Sequence, residues 1–268
     1  MDPSAGRPSR GNRIDDVEAY VLHTLPFRET SLLVDAFTAE HGRVSLAARG
    51  ARRPASALRG VLLPFQRVSL SWFGKGEVKT LHGAEWLAMT PGLGGRALIC
   101  GFYLNELLVR LLPREDPHPR VFAAYELALA GLPNAERVDA VLRPFELALL
   151  ADLGYAVDLM HEAGGGAGVV GEGRYRYLPE RGLVRLEAGE GGIASAGRHA
   201  ERDIGDMADT VALPGAQVSG STLLAMQAGD YADATTRREA LRLLRVALGY
   251  YLGDRPLLSR DMLAPFQD

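Results

Sequence analysis

The hydrophobic pattern of this chain changes period at Pro91-Gly92. Before that point, from Ile14 to about Leu87, short runs rich in β-branched and aromatic residues stand between Gly, Pro and charged turns, the texture of strands. Five runs are legible: 16–24 (DVEAYVLHT), 30–38 (TSLLVDAFT), 42–49 (GRVSLAAR), 61–73 (VLLPFQRVSLSWF) and 76–87 (GEVKTLHGAEWL). A basic connection, GARRPASALRG at 50–60, follows the third. Five antiparallel strands with one long link between the third and fourth predict a small closed barrel of the OB type, and a five-strand SH3-like barrel fits the same pattern. After Pro91-Gly92, Ile99, Phe102, Tyr103, Leu107 and Leu111 recur mostly at helical spacings. Similar patterns predict helices over 95–112, 118–131, 136–153, 218–228 and 234–252.

The expected fold class is therefore α+β. A five-stranded barrel domain over 14–90 precedes a helical-bundle domain over 91–268, which a small Gly-rich, strand-capable insertion interrupts at about 161–200. Inside that insertion RYRYLP and GLVRLEAG, separated by Glu180-Arg181, predict a hairpin. Residues 1–13, MDPSAGRPSRGNR, carry arginines without an apolar stretch, so they read as a disordered arm and not a signal peptide.

Composition narrows the function. With 47% hydrophobic and 24% charged residues the chain has enough apolar side chains for a real core, and no run of apolar residues is long enough to span a bilayer. The single cysteine, Cys100, excludes an internal disulfide framework and a four-cysteine zinc site, and a reducing cytoplasm is the expected compartment.

The net charge of −3 hides an asymmetry. Residues 41–76 contain no Asp or Glu and seven cations, Arg43, Arg49, Arg52, Arg53, Arg59, Arg67 and Lys75, which leaves −10 for the rest of the chain. Such a segregated charge points to a polyanion, with nucleic acid the first candidate. Arg49, Arg52, Arg53 and Arg59 lie in or beside the long link, where side chains reach phosphates at little ordering cost. Arg43, Lys75 and Lys79 come from neighbouring strands, and Arg28 from a turn next to Phe27. Together they predict an electrostatic groove for single or double strands. On the last long helix Arg238, Arg242 and Arg245 share one face and form a second basic candidate. Trp72, Phe73 or Phe27 offers an outward ring for a base to stack on, while core packing is the expected fate of Trp72 and Trp86.

Catalytic signatures are missing. Gly166, Gly168 and Gly171 form a literal G-x-G-x-x-G, but RYRYL follows it where a phosphate-binding loop would open a helix. The histidines at 23, 41, 82, 118, 161 and 199 lack ligand spacing, and there is no P-loop lysine motif, G-x-S-x-G or HExxH. The expectation is a protein that is not an enzyme, with no cofactor and no metal. Arg143, just before Pro144 and FELALL, sits by an apolar helix; a solvated helix-end arginine is the plain reading, and a receptor for a partner's carboxylate is the sharper one.

The run YVLHTLPFRETSLLVDAFTAEHGRVSLAARGARR at 20–53 resembles the bacterial RecO family of DNA repair and recombination proteins. The likeness continues through GEVKTL at 76–81, YLNELL at 103–108, RPFELALLADLGY at 143–155 and YLGDRPLLSRDML at 251–263. The resemblance implies an OB domain, a helical domain and a zinc-ribbon-like insertion, without enzymatic activity. It implies a recombination mediator that binds single- and double-stranded DNA, anneals complementary strands, binds RecR and helps load RecA. It also implies binding of the acidic, hydrophobic C-terminal tail of single-stranded DNA-binding protein, with Arg143 as the carboxylate-pairing residue. Some members carry four zinc-binding cysteines in the insertion, whereas this chain has none after Cys100, so a metal-free insertion is expected. The rival readings are a protein-interaction adaptor and an RNA-binding OB protein, and the expected location is the bacterial cytoplasm at the nucleoid.

Overall fold

The computed structural model describes residues 13–88, 92–187, 215–253 and 255–263. The expected N-terminal arm, but for Arg13, and the insertion beyond 187 lie outside the described residues. The chain forms two compact units, one reaching to Leu153 and resuming at Pro256, the other Gly154–Arg255. The first unit thus joins the barrel to the helices that follow it, across the sequence boundary expected near residue 90.

The first unit opens with five strands, β1 (Arg13–Phe27), β2 (Ser31–Thr38), β3 (Gly42–Ala48), β4 (Arg67–Phe73) and β5 (Val78–Ala88). They close into a barrel in the order β1-β2-β3-β5-β4. Every pairing is antiparallel except β3 with β5, which run parallel at Ser45↔Val78 to Ala47↔Thr80. Closure rests on β1. Its first half pairs with β4 and its second half with β2, and an irregularity between Val21 and His23 bends the strand between the two partners. Period-two alternation sends Ala19, Val21, Val34, Ala36, Val44, Leu46, Val68, Leu70 and Trp72 inward as one core.

Between β3 and β4 lies a single helical turn, α1 (Leu58–Val61), whose Leu58 and Val61 pack on the barrel core. The run expected as a strand over 61–73 begins only at Arg67. Pro64 has no N–H for a ladder, and Phe65 takes a positive φ of 68° to place its ring against Phe102.

Three helices follow as predicted, α2 (Gly95–Leu111), α3 (Pro119–Gly131) and α4 (Asp139–Asp152). Pro113 ends the first, and Pro119 occupies the first turn of the second. Tyr20 and Phe37 of the barrel meet Phe122 and Tyr125 of α3 at ring distances of 5.3–6.4 Å. Asn105 of α2 donates to the Leu22 carbonyl at 2.7 Å and accepts from the Tyr125 hydroxyl at 2.5 Å, so buried polar groups also fasten the helices to β1.

In the second unit β6 (Arg174–Leu178) and β7 (Gly182–Arg185) form the expected hairpin. A third strand, β8 (Ala216–Ser219), pairs with the other edge of β6, which the sequence pattern did not suggest. Helices α5 (Gly220–Gln227) and α6 (Ala234–Leu252) start at side-chain caps, Ser219 accepting from the Thr222 amide and Asp233 from the Thr236 amide. Helix α6 packs on β8 and β6 over Tyr175, Val218, Leu243 and Leu244, all buried. Back in the first unit, the last described element is α7 (Leu258–Leu263), seated on α2.

Candidate nucleic-acid interface

The β1–β2 turn and the link after β3 lie at one end of the barrel, because Leu32 pairs with Ala48. The link is anchored by Ala51, fully buried in the barrel core, and turns at Gly50, whose φ is +69°. Arg52 then fastens the link to the turn. Its amide donates to the Thr30 carbonyl at 2.9 Å, and its guanidinium donates to the Glu29 carbonyl at 3.2 Å and the Arg28 carbonyl at 3.4 Å. Arg53 donates its amide to Gly50 at 3.0 Å and Arg59 its amide to Ser56 at 3.3 Å, which curls the remainder of the link. The result brings Arg28, Arg49, Arg52 and Arg53 to one end of the barrel with exposed side chains, and Arg59 is exposed on α1. Arg28 also covers the Phe27 ring at 5.1 Å. Lys75 is exposed in the β4–β5 turn, which precedes Val78 and so lies toward the start of β3, at the other end of that strand.

Two further residues expected in this groove are not in it either. Arg43 is 8% exposed, donates to the Leu112 carbonyl at 3.1 Å and lies 3.8 Å from Asp35. Burial is the main cause that lowers its guanidinium pKa, with Asp35 acting in the opposite direction. Lys79, equally buried, is held by Glu115 at 2.5 Å and the Gly76 carbonyl at 3.3 Å. The segment 112–116 between α2 and α3 crosses β3 here, with Glu115 donating its amide to the Arg43 carbonyl at 2.9 Å. Gly42, at a φ of +61°, admits this crossing, since a Cβ there would stand 1.9 Å from the Asp116 carbonyl oxygen. Both cations are therefore structural, taken up by a segment distant in sequence.

Arg143 is likewise internal. It is the fifth residue of α4 and only 4% exposed, with its guanidinium 2.7 Å from Glu146 and 3.3 Å from Asp139. Glu146, fully buried, also accepts from the Tyr103 hydroxyl at 2.7 Å. This corrects the reading of Arg143 as a solvated helix-end arginine. A partner's carboxylate would meet a guanidinium already turned toward Asp139 and Glu146. Arg238 and Arg242 are exposed on α6 and Arg245 is half-buried there; all three belong to the second unit.

Trp86 departs from expectation in the other direction. Trp72 is 1% exposed in the core, whereas Trp86 is 50% exposed near the end of β5. The sequence signal that would have found it is weak: WLA at the end of a run keeps no clean alternation.

The described part of the insertion does not fit a zinc ribbon. It has no cysteine, its exposed His161 is paired with Asp158 at 3.0 Å, and Glu162 faces Arg185 at 3.6 Å. Among the described residues no three His, Cys, Asp or Glu side chains gather as metal donors. Cys100 lies in α2, where burial pushes its thiol up to about 11. Among the described residues no helix is long and apolar enough to cross a membrane.

Comparison with known proteins decides the lineage. Residues 15–90 match the family model "Recombination protein O N terminal", and residues 94–191 match "Recombination protein O C terminal". The chain belongs to the RecO family. RecO relatives of similar length span nearly all of it. The DNA repair protein RecO of Azoarcus sp. (strain BH72) is 48% identical over 251 residues, 94% of this chain and 96% of that protein. That of Aromatoleum aromaticum is 47% identical over 260 residues, 97% of this chain and 99% of that protein. That of Dechloromonas aromatica is 43% identical over 260 residues, covering 96% and 98%. The RecO N-terminal match coincides with the barrel, and the C-terminal match begins just before α2.

Proposed function

We propose that this chain is a DNA-binding recombination mediator whose barrel is of the OB type and whose DNA site is the arginine end of that barrel. The observation that carries the reading is the Arg52 clasp, which draws cations from two separate segments into one exposed cluster. A strand order of β1-β2-β3-β5-β4 with a single parallel pairing supports the OB assignment.

The mechanism is electrostatic. Two complementary strands repel one another, and a surface that neutralises phosphates on both lowers that repulsion and raises their local concentration, so annealing needs no covalent step. No base-reading helix is offered to a major groove by the barrel end, so sequence preference is small. Family likeness supports RecR, the C-terminal tail of single-stranded DNA-binding protein and, indirectly, RecA as partners in a bacterial cytoplasm at the nucleoid, with no enzymatic activity.

Anisotropy of a labelled single-stranded oligonucleotide at several salt concentrations tests this. With about four to six phosphates neutralised, log affinity falls with log salt at a slope of roughly −3 to −4. Binding and annealing should both be lost in an Arg49→Glu/Arg53→Glu/Arg59→Glu variant, which leaves the Arg52 clasp intact. A slope near zero, or full binding by that variant, rejects the site.

A further inference from the structure

An indole is among the largest apolar side chains, and leaving half of it in water forgoes much of the burial that usually fixes it. Trp86 is nevertheless placed with care. It stands opposite Val68 in the β4–β5 ladder, and directly opposed residues share a face, so it lies on the inward side of the sheet, just past the point where the core ends. Its neighbour Glu85 stands opposite Ser69 and points to the other face. Leu87 has no partner between Trp86↔Val68 and Ala88↔Arg67, a bulge that re-aims the end of the strand.

The charged surroundings come from two directions. Strand β5 runs parallel to β3, so its last residues head the same way as the link that carries Arg49, Arg52 and Arg53. Helix α1, with exposed Arg59, packs against β5. Arg67, opposite Ala88, is already held by Glu18 at 2.5 Å and Glu126 at 2.7 Å, so it contributes little free charge. The other rings of the barrel that the sequence offered are engaged: Trp72 is buried, Phe27 lies under Arg28, and Phe73 is half-buried beside His82.

We propose that Trp86 is a stacking platform for an unpaired base of a strand whose phosphates lie on the arginine end of the barrel. This rests on the DNA site proposed above and adds a preference to it. In a duplex the base faces are already stacked, so the ring is of use only to a single strand or an open end.

The two tryptophans make the test clean, because Trp72 is sealed in the core and Trp86 is open. A Trp72→Phe protein carries Trp86 as its single indole. Its emission should be quenched by oligothymidylate and not by an abasic strand of the same length. Trp86→Ala should lower affinity for oligothymidylate by about 5- to 100-fold. Its salt slope and its affinity for the abasic strand should stay unchanged, and Trp86→Phe should retain most of the binding. Unquenched emission with full affinity in Trp86→Ala overturns the platform while leaving the arginine site standing. Failure of the unaltered protein to bind either strand overturns both.

Discussion

Arg43 and Arg49 stand six residues apart in the same acid-free stretch, yet the first is 8% exposed beneath the 112–116 crossing and the second lies in solvent. Lys79 and Lys75 repeat the contrast across β5 and the turn before it. The difference is whether another segment passes over the strand. At the start of β3 the Leu112 carbonyl, Glu115 and Asp35 surround the cations. Past the end of β3 the chain turns back on itself, and Arg52 meets backbone carbonyls of the neighbouring turn while Arg49, Arg53 and Arg59 are exposed. A run of positive charge thus serves two purposes here, holding the helices on the barrel at one end and facing the solvent at the other.

The crossing itself is the place to break this contrast with the largest effect. Gly42→Ala adds the left-handed strain of an L-residue, about 1–2 kcal/mol, to a collision with the Asp116 backbone. A total loss of about 4 kcal/mol or more is expected in urea titration. A loss under about 1 kcal/mol would mean that the crossing is loosely seated.

Next in size, Arg43→Met leaves Asp35 with Ser45 and the more distant Arg114, at 3.9 Å, and should cost about 3 kcal/mol. The folded fraction should keep its affinity for single strands, and an Arg43→Met/Asp35→Leu pair should recover much of the stability. The converse result, DNA binding lost with stability intact, would exchange the roles of the two regions. The exposed set gives the mirror image: Arg49→Glu/Arg53→Glu/Arg59→Glu should leave stability within about 0.5 kcal/mol while removing DNA binding.

The smallest effect concerns acid. Burial works to raise the Glu106 pKa, but hydrogen bonds from the Ser259 side chain and amide and the Leu258 amide, with Arg110 nearby, hold it below the usual carboxylate range. A depressed folded pKa means that its contribution is present above the unfolded value of about 4.3 and fades as pH falls through the folded one. The protection of the α7 amides, taken relative to their intrinsic exchange rates at each pH, should therefore fall at low pH, and in Glu106→Gln it should already be low at neutral pH. An α7 equally protected in both proteins would show that Glu106 does not hold it.

Much of the fold was legible in the sequence because periodicity is local. Val34, Ala36, Val44 and Leu46 alternate as barrel strands must; of the helical stripe Ile99, Phe102, Tyr103, Leu107 and Leu111, Tyr103 and Leu107 lie on the buried side of α2, while Phe102 is partly exposed. Strand β8 escaped notice because four residues carry too short a pattern, and the late start of β4 because Pro64 and Phe65 look apolar enough to belong to a strand. Of the candidate interface, the link with Arg49, Arg52, Arg53 and Arg59 was visible as a basic connection between two runs, while its attachment to Arg28 through Arg52 was not.

The sequence by itself determined the types of the longer elements, the α+β class, the family and the excess of positive charge near the barrel link. Only the tertiary structure decided which cations are free. Arg43 meets a carbonyl 69 residues away, Arg143 turns inward to Glu146, and Trp86 stays open where Trp72 is sealed. The reason is physical. A two- or 3.6-residue period is written within one segment, whereas the burial of a given side chain depends on which distant segment comes to lie over it.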